Sequence, residues 1–176
     1  MKRQVEAFDY ADVICKALST GVLLTTRSGD RVNTMTIGWG KIGIEWGKSI
    51  FIAYVRESRY TIQLLESSGE FTVNIPLNSD SREILGYCGR RSGRDTDKIR
   101  DLKLTLVDSD VVSAPGIAQL PLTLECRVIY RQKQDIRQMP QDVIGRFYPP
   151  FGEQQAPDMH TAFYGEIVNA YLIDPD

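Results

Sequence analysis

About seven β-prone runs follow one another along this chain without the regular helices, roughly 10–15 residues long, that a parallel sheet needs between its strands. Two of them leave little room for another reading. Residues 49–55 (S-I-F-I-A-Y-V) form a short apolar run rich in β-branched and aromatic side chains, and residues 70–75 (E-F-T-V-N-I) alternate with period two, as a half-buried strand does. Residues 21–26, 33–40, 104–107, 120–130 and 161–173 supply the other runs, with 33–40 readable as strand or loop. The helices this pattern predicts are short inserts. Residues 9–18 place Val13, Ile14 and Ala17 on one side, and 58–67 carries Ser58 as N-cap and Gly69 just past its end. A third opens on the capping box Asp80-Ser81-Arg82-Glu83 and presents Ile84, Leu85 and Cys88, and a fourth spans 140–148. Such a string reads as one domain over residues 1–176, mainly β with inserted short helices, closed as a barrel.

A net charge of −2 speaks against a general nucleic-acid binder, although Arg90, Arg91, Arg94, Lys98 and Arg100 form a local cluster. The three cysteines, Cys15, Cys88 and Cys126, are widely spaced and read as buried small hydrophobes, which fits a reducing cytoplasm better than a disulfide framework or a zinc site. Cys88 sits beside the basic cluster, where cations could lower a thiol pKa. No run reaches the ~18 apolar residues of a membrane helix, and the first residues lack the apolar region of a secretory signal.

Four segments could carry chemistry. Asn33-Thr34-Met35-Thr36-Ile37-Gly38-Trp39-Gly40 offers short polar side chains, open backbone and an aromatic, which suits the edge and face of a flat heteroaromatic ring. Taken alone, it reads more simply as an edge strand with Thr for β propensity and Trp39 in the core. Arg56-Glu57-Ser58-Arg59-Tyr60-Thr61 links a strand to a helix start, where free amides, Ser58, Thr61 and the charges of Arg56 and Arg59 suit a phosphate. The alternative is a plain cap with two solvated arginines. Residues 88–98 read as a loop folded over an anion or ring with Arg94 and Lys98 pointing in, or as a solvated loop whose cations pair with Asp95, Asp97 and Asp101. His160, the lone histidine, is a hydrogen-bonding candidate or a structural residue.

Taken in order, N-T-M-T-I-G-W-G at 33–40, R-E-S-R-Y-T at 56–61, G-E-F-T-V-N-I-P at 69–76, Y-C-G-R-R-S-G-R-D-T-D-K at 87–98, and His160 with F-Y-G-E-I-V at 163–168 resemble the flavin-reductase-like family, in particular its flavoredoxin-like branch. The resemblance implies an FMN-binding split β-barrel that pairs as a homodimer, with non-covalent FMN near the subunit interface. By it, Asn33, Thr34, Met35, Thr36 and Trp39 line the flavin and its ribityl chain. Ser58, Arg59 and Thr61 take the phosphate, beside which the charge of Arg56 makes it a further cofactor-binding candidate, and Arg94, Asp97 and Lys98 touch the cofactor. His160 lies on the nicotinamide side and is the catalytic candidate. The implied activity is transfer of electrons from NAD(P)H through FMN to a protein or small-molecule acceptor. The alternatives are an FMN-binding sensor or store without turnover, and a barrel that has lost its cofactor.

Overall fold

The computed structural model describes residues 1–77, 81–153 and 155–174. The strands are β1 (Lys2–Gln4), β2 (Val22–Ser28), β3 (Arg31–Ile37), β4 (Gly40–Glu45), β5 (Lys48–Arg56), β6 (Glu70–Ile75), β7 (Leu106–Val107), β8 (Gly116–Ile117), β9 (Leu122–Lys133), β10 (Pro150–Phe151), β11 (Ala156–Pro157) and β12 (His160–Ile173). Between them lie α1 (Ala11–Leu18), α2 (Thr61–Ser68), α3 (Arg82–Arg90), α4 (Lys98–Asp101) and α5 (Gln141–Phe147).

The main sheet runs β3-β2-β6-β9-β12-β5-β4, with β1 added to β12, and every pairing is antiparallel. β3 and β4 stand at the two ends of this path, yet only Gly38 and Trp39 separate them in the chain. The three Cα steps from Ile37 to Gly40 span at most about 11 Å, so the sheet has to curl until its ends meet, which makes it a barrel split along the β3–β4 seam. The long strands β9 and β12 accommodate the curl through register shifts at Tyr164/Gly165 and Ile167/Asn169. At Gly40 a Cβ would lie 2.8 Å from the Phe51 ring and 3.1 Å from Ile52 O, so the turn into β4 needs glycine to approach β5.

Alternation along the strands produces two cores. Val22, Leu24, Met35, Ile37, Phe51, Phe71 and Phe163 point into the barrel, whose ends are closed by Ile14 and Leu18 of α1 and Leu65 of α2. The opposite face of β2 carries Leu23, which packs under Leu85 and Cys88 of α3 with Leu104, Ile117 and Leu120. That outer face is also polar. Thr25 donates to Asn74 (2.8 Å), Asn74 to Thr123 (3.2 Å) and Thr72 to the carbonyl of Pro115 (2.7 Å). The buried Glu125 carboxylate accepts the amides of Asp110, Val111 and Val112 at 2.7–3.1 Å and the Asn169 side chain at 2.8 Å, so it pins the covering segment as a buried charge must be pinned.

Most expected elements are present, with corrections at their ends. The 9–18 helix divides into a 3₁₀ turn at Ala7–Tyr10 and α1. The 33–40 segment is β3 plus the seam, and 104–107 shrinks to the two-residue β7. β4 at Gly40–Glu45 is a strand the hydrophobic pattern does not signal, because its glycines and exposed Ile44 break the alternation. Gly69 ends α2 in the left-handed region at φ 66° as expected. Ser58 is not the cap of α2. The helix begins at Thr61, after a turn, and the Ser58 amide and hydroxyl both donate to Asp158, at 3.0 and 2.7 Å. The Asp80 cap lies outside the described residues. Cys15 is exposed, whereas Cys88 and Cys126 are buried as expected.

Gly165 tests the packing at the bend of β12. An added Cβ would sit 2.5 Å from the Phe71 ring and 2.9 Å from Cβ of Cys126, both inside the barrel wall. Gly165→Ala is expected to cost about 1–3 kcal/mol by overpacking. Urea unfolding followed by circular dichroism should show a lower midpoint at unchanged slope, and an unshifted midpoint would refute the account of this bend.

Candidate functional site

The seam opens onto a cleft of about 270 Å³ walled by Met35, Thr36, Ile37, Gly38, Trp39, Tyr54, Arg56, Arg59 and His160. A second recess, polar and about 490 Å³, is bounded by Asn33 and Thr34 of β3 and by residues 93–100, which include Arg94, Asp97 and Lys98. Thr34 lines one recess and Met35 the other, so consecutive residues of β3 border the two.

In the first recess Trp39 is the centre of an aromatic wall. His160 stacks on it at 4.5 Å between ring centres with a 32° tilt, and Phe147 meets it edge-on at 5.2 Å. Trp39 is still about a third exposed, at 36%, so an apolar face remains open to the cleft. The His160 Nδ1 atom lies 2.9 Å from the Tyr148 hydroxyl, which donates to Gln134 Oε1 at 2.7 Å. Burial, then the Arg56 guanidinium, push the His160 imidazole from 6.5 down to about 4, with Asp158 pulling back.

The two arginines of the 56–61 segment differ in what they touch. Arg56 donates to the carbonyls of Asp158 (2.8 Å) and Phe147 (2.9 Å), so its guanidinium fastens the end of α5 and the approach to β12. Arg59 donates to Gly89 O at 2.6 Å, and burial holds it below its ordinary value, with Asp158 raising it and Arg56 lowering it further. Thr61 is buried and accepts from Asn33 at 2.9 Å. At the start of α2 the amides of Arg59, Ile62 and Gln63 are bonded to Arg56, Arg59 and Tyr60 carbonyls. Among the described residues this leaves the Tyr60 and Thr61 amides as the donors a phosphate could take.

In the second recess, the 91–97 loop is fastened to β3 and to the 56–61 turn. Arg31 donates to Gly93 O at 2.8 Å, Arg94 donates to Ser58 O at 3.1 Å, and both guanidinium groups lie against the Tyr60 ring, at 4.8 and 5.5 Å. Gly93 passes so close to Asn33 that a Cβ would fall 2.1 Å from its Oδ1. The Asp97 carboxylate caps α4, accepting from the Arg100 amide at 3.1 Å. Thr36 donates to Leu85 O at 2.6 Å and so joins β3 to α3.

Lys98 is the least satisfied of these groups. It is 3% exposed, and among the described residues its ammonium has one hydrogen-bond partner, Arg91 O at 3.3 Å. An ammonium carries three donors, and a buried charge without partners is costly. Burial accordingly lowers Lys98 from 10.5 to about 8, with Cys88 drawing it up and Arg59 pressing it down. Burial moves the Cys88 thiol the other way, up to about 11 despite Lys98, so Cys88 is not an activated thiol. The recess fits an anionic or carbonyl-bearing group that would occupy the remaining Lys98 donors, and the adjoining aromatic cleft fits a flat ring. Together they suit a flavin mononucleotide.

Thus Met35, Thr36, Trp39, Arg56, Arg59 and His160 share one recess, and Asn33, Thr34, Arg94, Asp97 and Lys98 share its neighbour. Ser58 and Thr61 line neither, being engaged by Asp158 and Asn33. Tyr148, Gln134 and Asp158 were not legible in the sequence, since only the fold brings α5, the end of β9 and the approach to β12 to one place. Among the described residues no cluster of His, Cys, Asp or Glu could hold a metal ion, and no helix is long and apolar enough to cross a membrane.

Comparison with known proteins agrees with the fold. The model of the flavin reductase like domain matches residues 16–176. An uncharacterized protein of Archaeoglobus fulgidus is 32% identical over 100 residues, 57% of this chain and 55% of that protein, so the match spans little more than half of the curated relative. The flavoredoxin of Desulfovibrio vulgaris (Miyazaki F) superposes with a TM-score of 0.66 at 25% identity, covering 86% of this chain and 68% of that one. An FMN-binding domain of a flavin reductases-like enzyme from Shewanella baltica OS155 gives a TM-score of 0.70 at 17% identity over 98% of this chain and 77% of that one, which shows the shared fold.

The His160 environment has a measurable signature. With one histidine in the chain, an NMR titration of its ring protons should show an inflection near 4, and one near 6.5 would mean a solvated ring. Between those values the unfolded chain binds a proton that the folded ring refuses, so stability falls as pH drops through this window. His160→Gln should remove that part of the slope.

Proposed function

The chain belongs to the flavin reductase like domain family, and from that premise we propose that it is an FMN-binding oxidoreductase of the flavin reductase or flavoredoxin type, passing electrons from NAD(P)H through FMN to an acceptor. The observation that carries this reading is the buried Lys98 ammonium, short of partners, in a recess bordered by the same strand, β3, that borders the Trp39–His160 cleft. Bound FMN supplies the redox chemistry, and the protein contributes orientation, exclusion of water and charge.

The residues divide that work. Residues Met35–Trp39 line the first cleft on the edge of β3 away from β2, where backbone groups not taken by β2 or Tyr54 can hydrogen-bond the polar edge of a ring that Trp39 covers. Lys98 would meet a carbonyl or anionic oxygen, and positive charge there favours a reduced, negatively charged ring. Arg59, Arg94 and the Tyr60 and Thr61 amides would surround a phosphate. Arg56 acts one step back, holding α5 and the approach to β12 around the cleft. His160, neutral at physiological pH, offers hydrogen bonding rather than charge to the second substrate. The proposal extends to a homodimer in the cytoplasm with FMN near the subunit interface and to a protein or small-molecule acceptor.

The test is the visible spectrum of the purified protein, first in air and then under nitrogen with NADH or NADPH. Bleaching of flavin bands is the expected result. A yellow protein that stays oxidised with both donors would favour an FMN-binding sensor or store, and a colourless one that takes up no FMN would overturn the reading.

Lys98→Met should weaken FMN binding about ten- to hundredfold, the value of one charge-assisted hydrogen bond. In the native protein, affinity should fall as pH rises through about 8, because the free ammonium loses its proton there. Fluorescence titration of apoprotein with FMN measures both, and an affinity unchanged by the substitution would exclude Lys98 from the site.

A further inference from the structure

His160 is held in a relay with Tyr148 and Gln134, two residues that the motifs do not single out, and the relay's chemistry is constrained. A tyrosine hydroxyl has one proton to give. Tyr148, 3% exposed, donates that proton to Gln134 Oε1 at 2.7 Å. Its oxygen is then an acceptor toward His160 Nδ1 at 2.9 Å, which requires the proton to be on Nδ1. A neutral imidazole carries one N–H, so Nε2 is left with a bare lone pair.

Gln134 is fixed to the same histidine a second time. Its amide donates to His160 O at 3.0 Å, where β9 has just ended and β12 begins. Tyr148 is held from the other side, since it directly follows α5 and its amide donates to Ile144 O at 2.9 Å. Arg56, opposite His160 in the β5–β12 register, bonds to Phe147 O and lies over the Tyr148 ring at 5.5 Å. The charged groups that face the imidazole are Arg56 on β5 and Asp158 on the approach to β12, and Trp39 covers its face. Burial first, and then the guanidinium over the opposing carboxylate, keep the ring neutral, so the tautomer question is well posed.

We propose that Tyr148 and Gln134 are positioning residues that hold His160 as the Nδ1–H tautomer and present Nε2 to the cleft as a hydrogen-bond acceptor. The group of the second ligand that meets His160 then carries an N–H or O–H donor, as a carboxamide does, rather than a negative charge. This last step rests on the flavin-reductase reading. The tautomer itself does not.

The experiment is a long-range ¹H–¹⁵N correlation spectrum of the uniformly labelled protein at neutral pH without added nucleotide, where the one histidine gives one set of ring signals. The expected pattern is a protonated Nδ1 and an unprotonated Nε2. Tyr148→Phe removes the acceptor and Gln134→Leu removes what orients it, and each should shift the ring toward the Nε2–H form. A native ring found as Nε2–H would mean that the relay runs the other way, with the Gln134 amide donating to Tyr148, and would overturn the proposal. So would a tautomer unchanged in both variants. Neither readout depends on flavin or nicotinamide. Failure here with intact flavin bleaching would therefore leave the reductase reading standing, and the reverse result would do the opposite.

Discussion

The structure depends on closing an antiparallel sheet with a two-residue link. β3 and β4 are neighbours in the chain and opposite ends of the hydrogen-bonded path, so Gly38 and Trp39 have to bridge the seam of the barrel. That constraint explains the glycine at position 40, which passes against Phe51, and the bends in β9 and β12. It also explains where the cleft lies. At the seam the ladder is interrupted, β3 has a partner strand on one side only, and the one bulky residue of the link, Trp39, is turned outward rather than into the core.

Beside the seam, the placement of positive charge separates residues that look alike in the sequence. Arg56 and Arg59 are three residues apart and both line the cleft, yet one is consumed by two backbone carbonyls and the other has a single carbonyl partner. Arg94 stacks on Tyr60 while reaching the carbonyl of Ser58. Lys98 is driven inside with one long contact, and its burial lowers it from 10.5 to about 8. A protein maintains such a group only where surrounding structure over-determines it, and here α4, capped by Asp97, and the covering of α3 do so.

Much of the fold was legible in the residues. Alternation in 70–75 and the apolar run at 49–55 marked β6 and β5 nearly to the residue, and Gly69 announced the end of α2 through its left-handed conformation. β4 was not legible, because its side chains neither alternate nor bury strongly. Its place comes from pairing with β5 across the hairpin at Trp46-Gly47. The site was legible as a set of segments but not as a set of contacts. Ser58 reads as a cap, yet Asp158, 100 residues away, takes its amide and hydroxyl. Cys88 reads as a thiol near cations, yet burial outweighs them.

The sequence by itself determined the β-rich class, the positions of most strands, and the two chemically distinctive stretches at 33–40 and 88–98, since period, turn residues and local charge are properties of neighbours along the chain. Only the tertiary structure decided which polar groups remain free. Hydrogen bonds and burial are settled by residues far apart in sequence, and they engage Asn33, Thr61 and Arg56 within the protein while leaving Lys98 with one long contact and Trp39 with an open face. They also assemble His160, Tyr148 and Gln134 from β12, the end of α5 and the end of β9, three places that no periodicity relates.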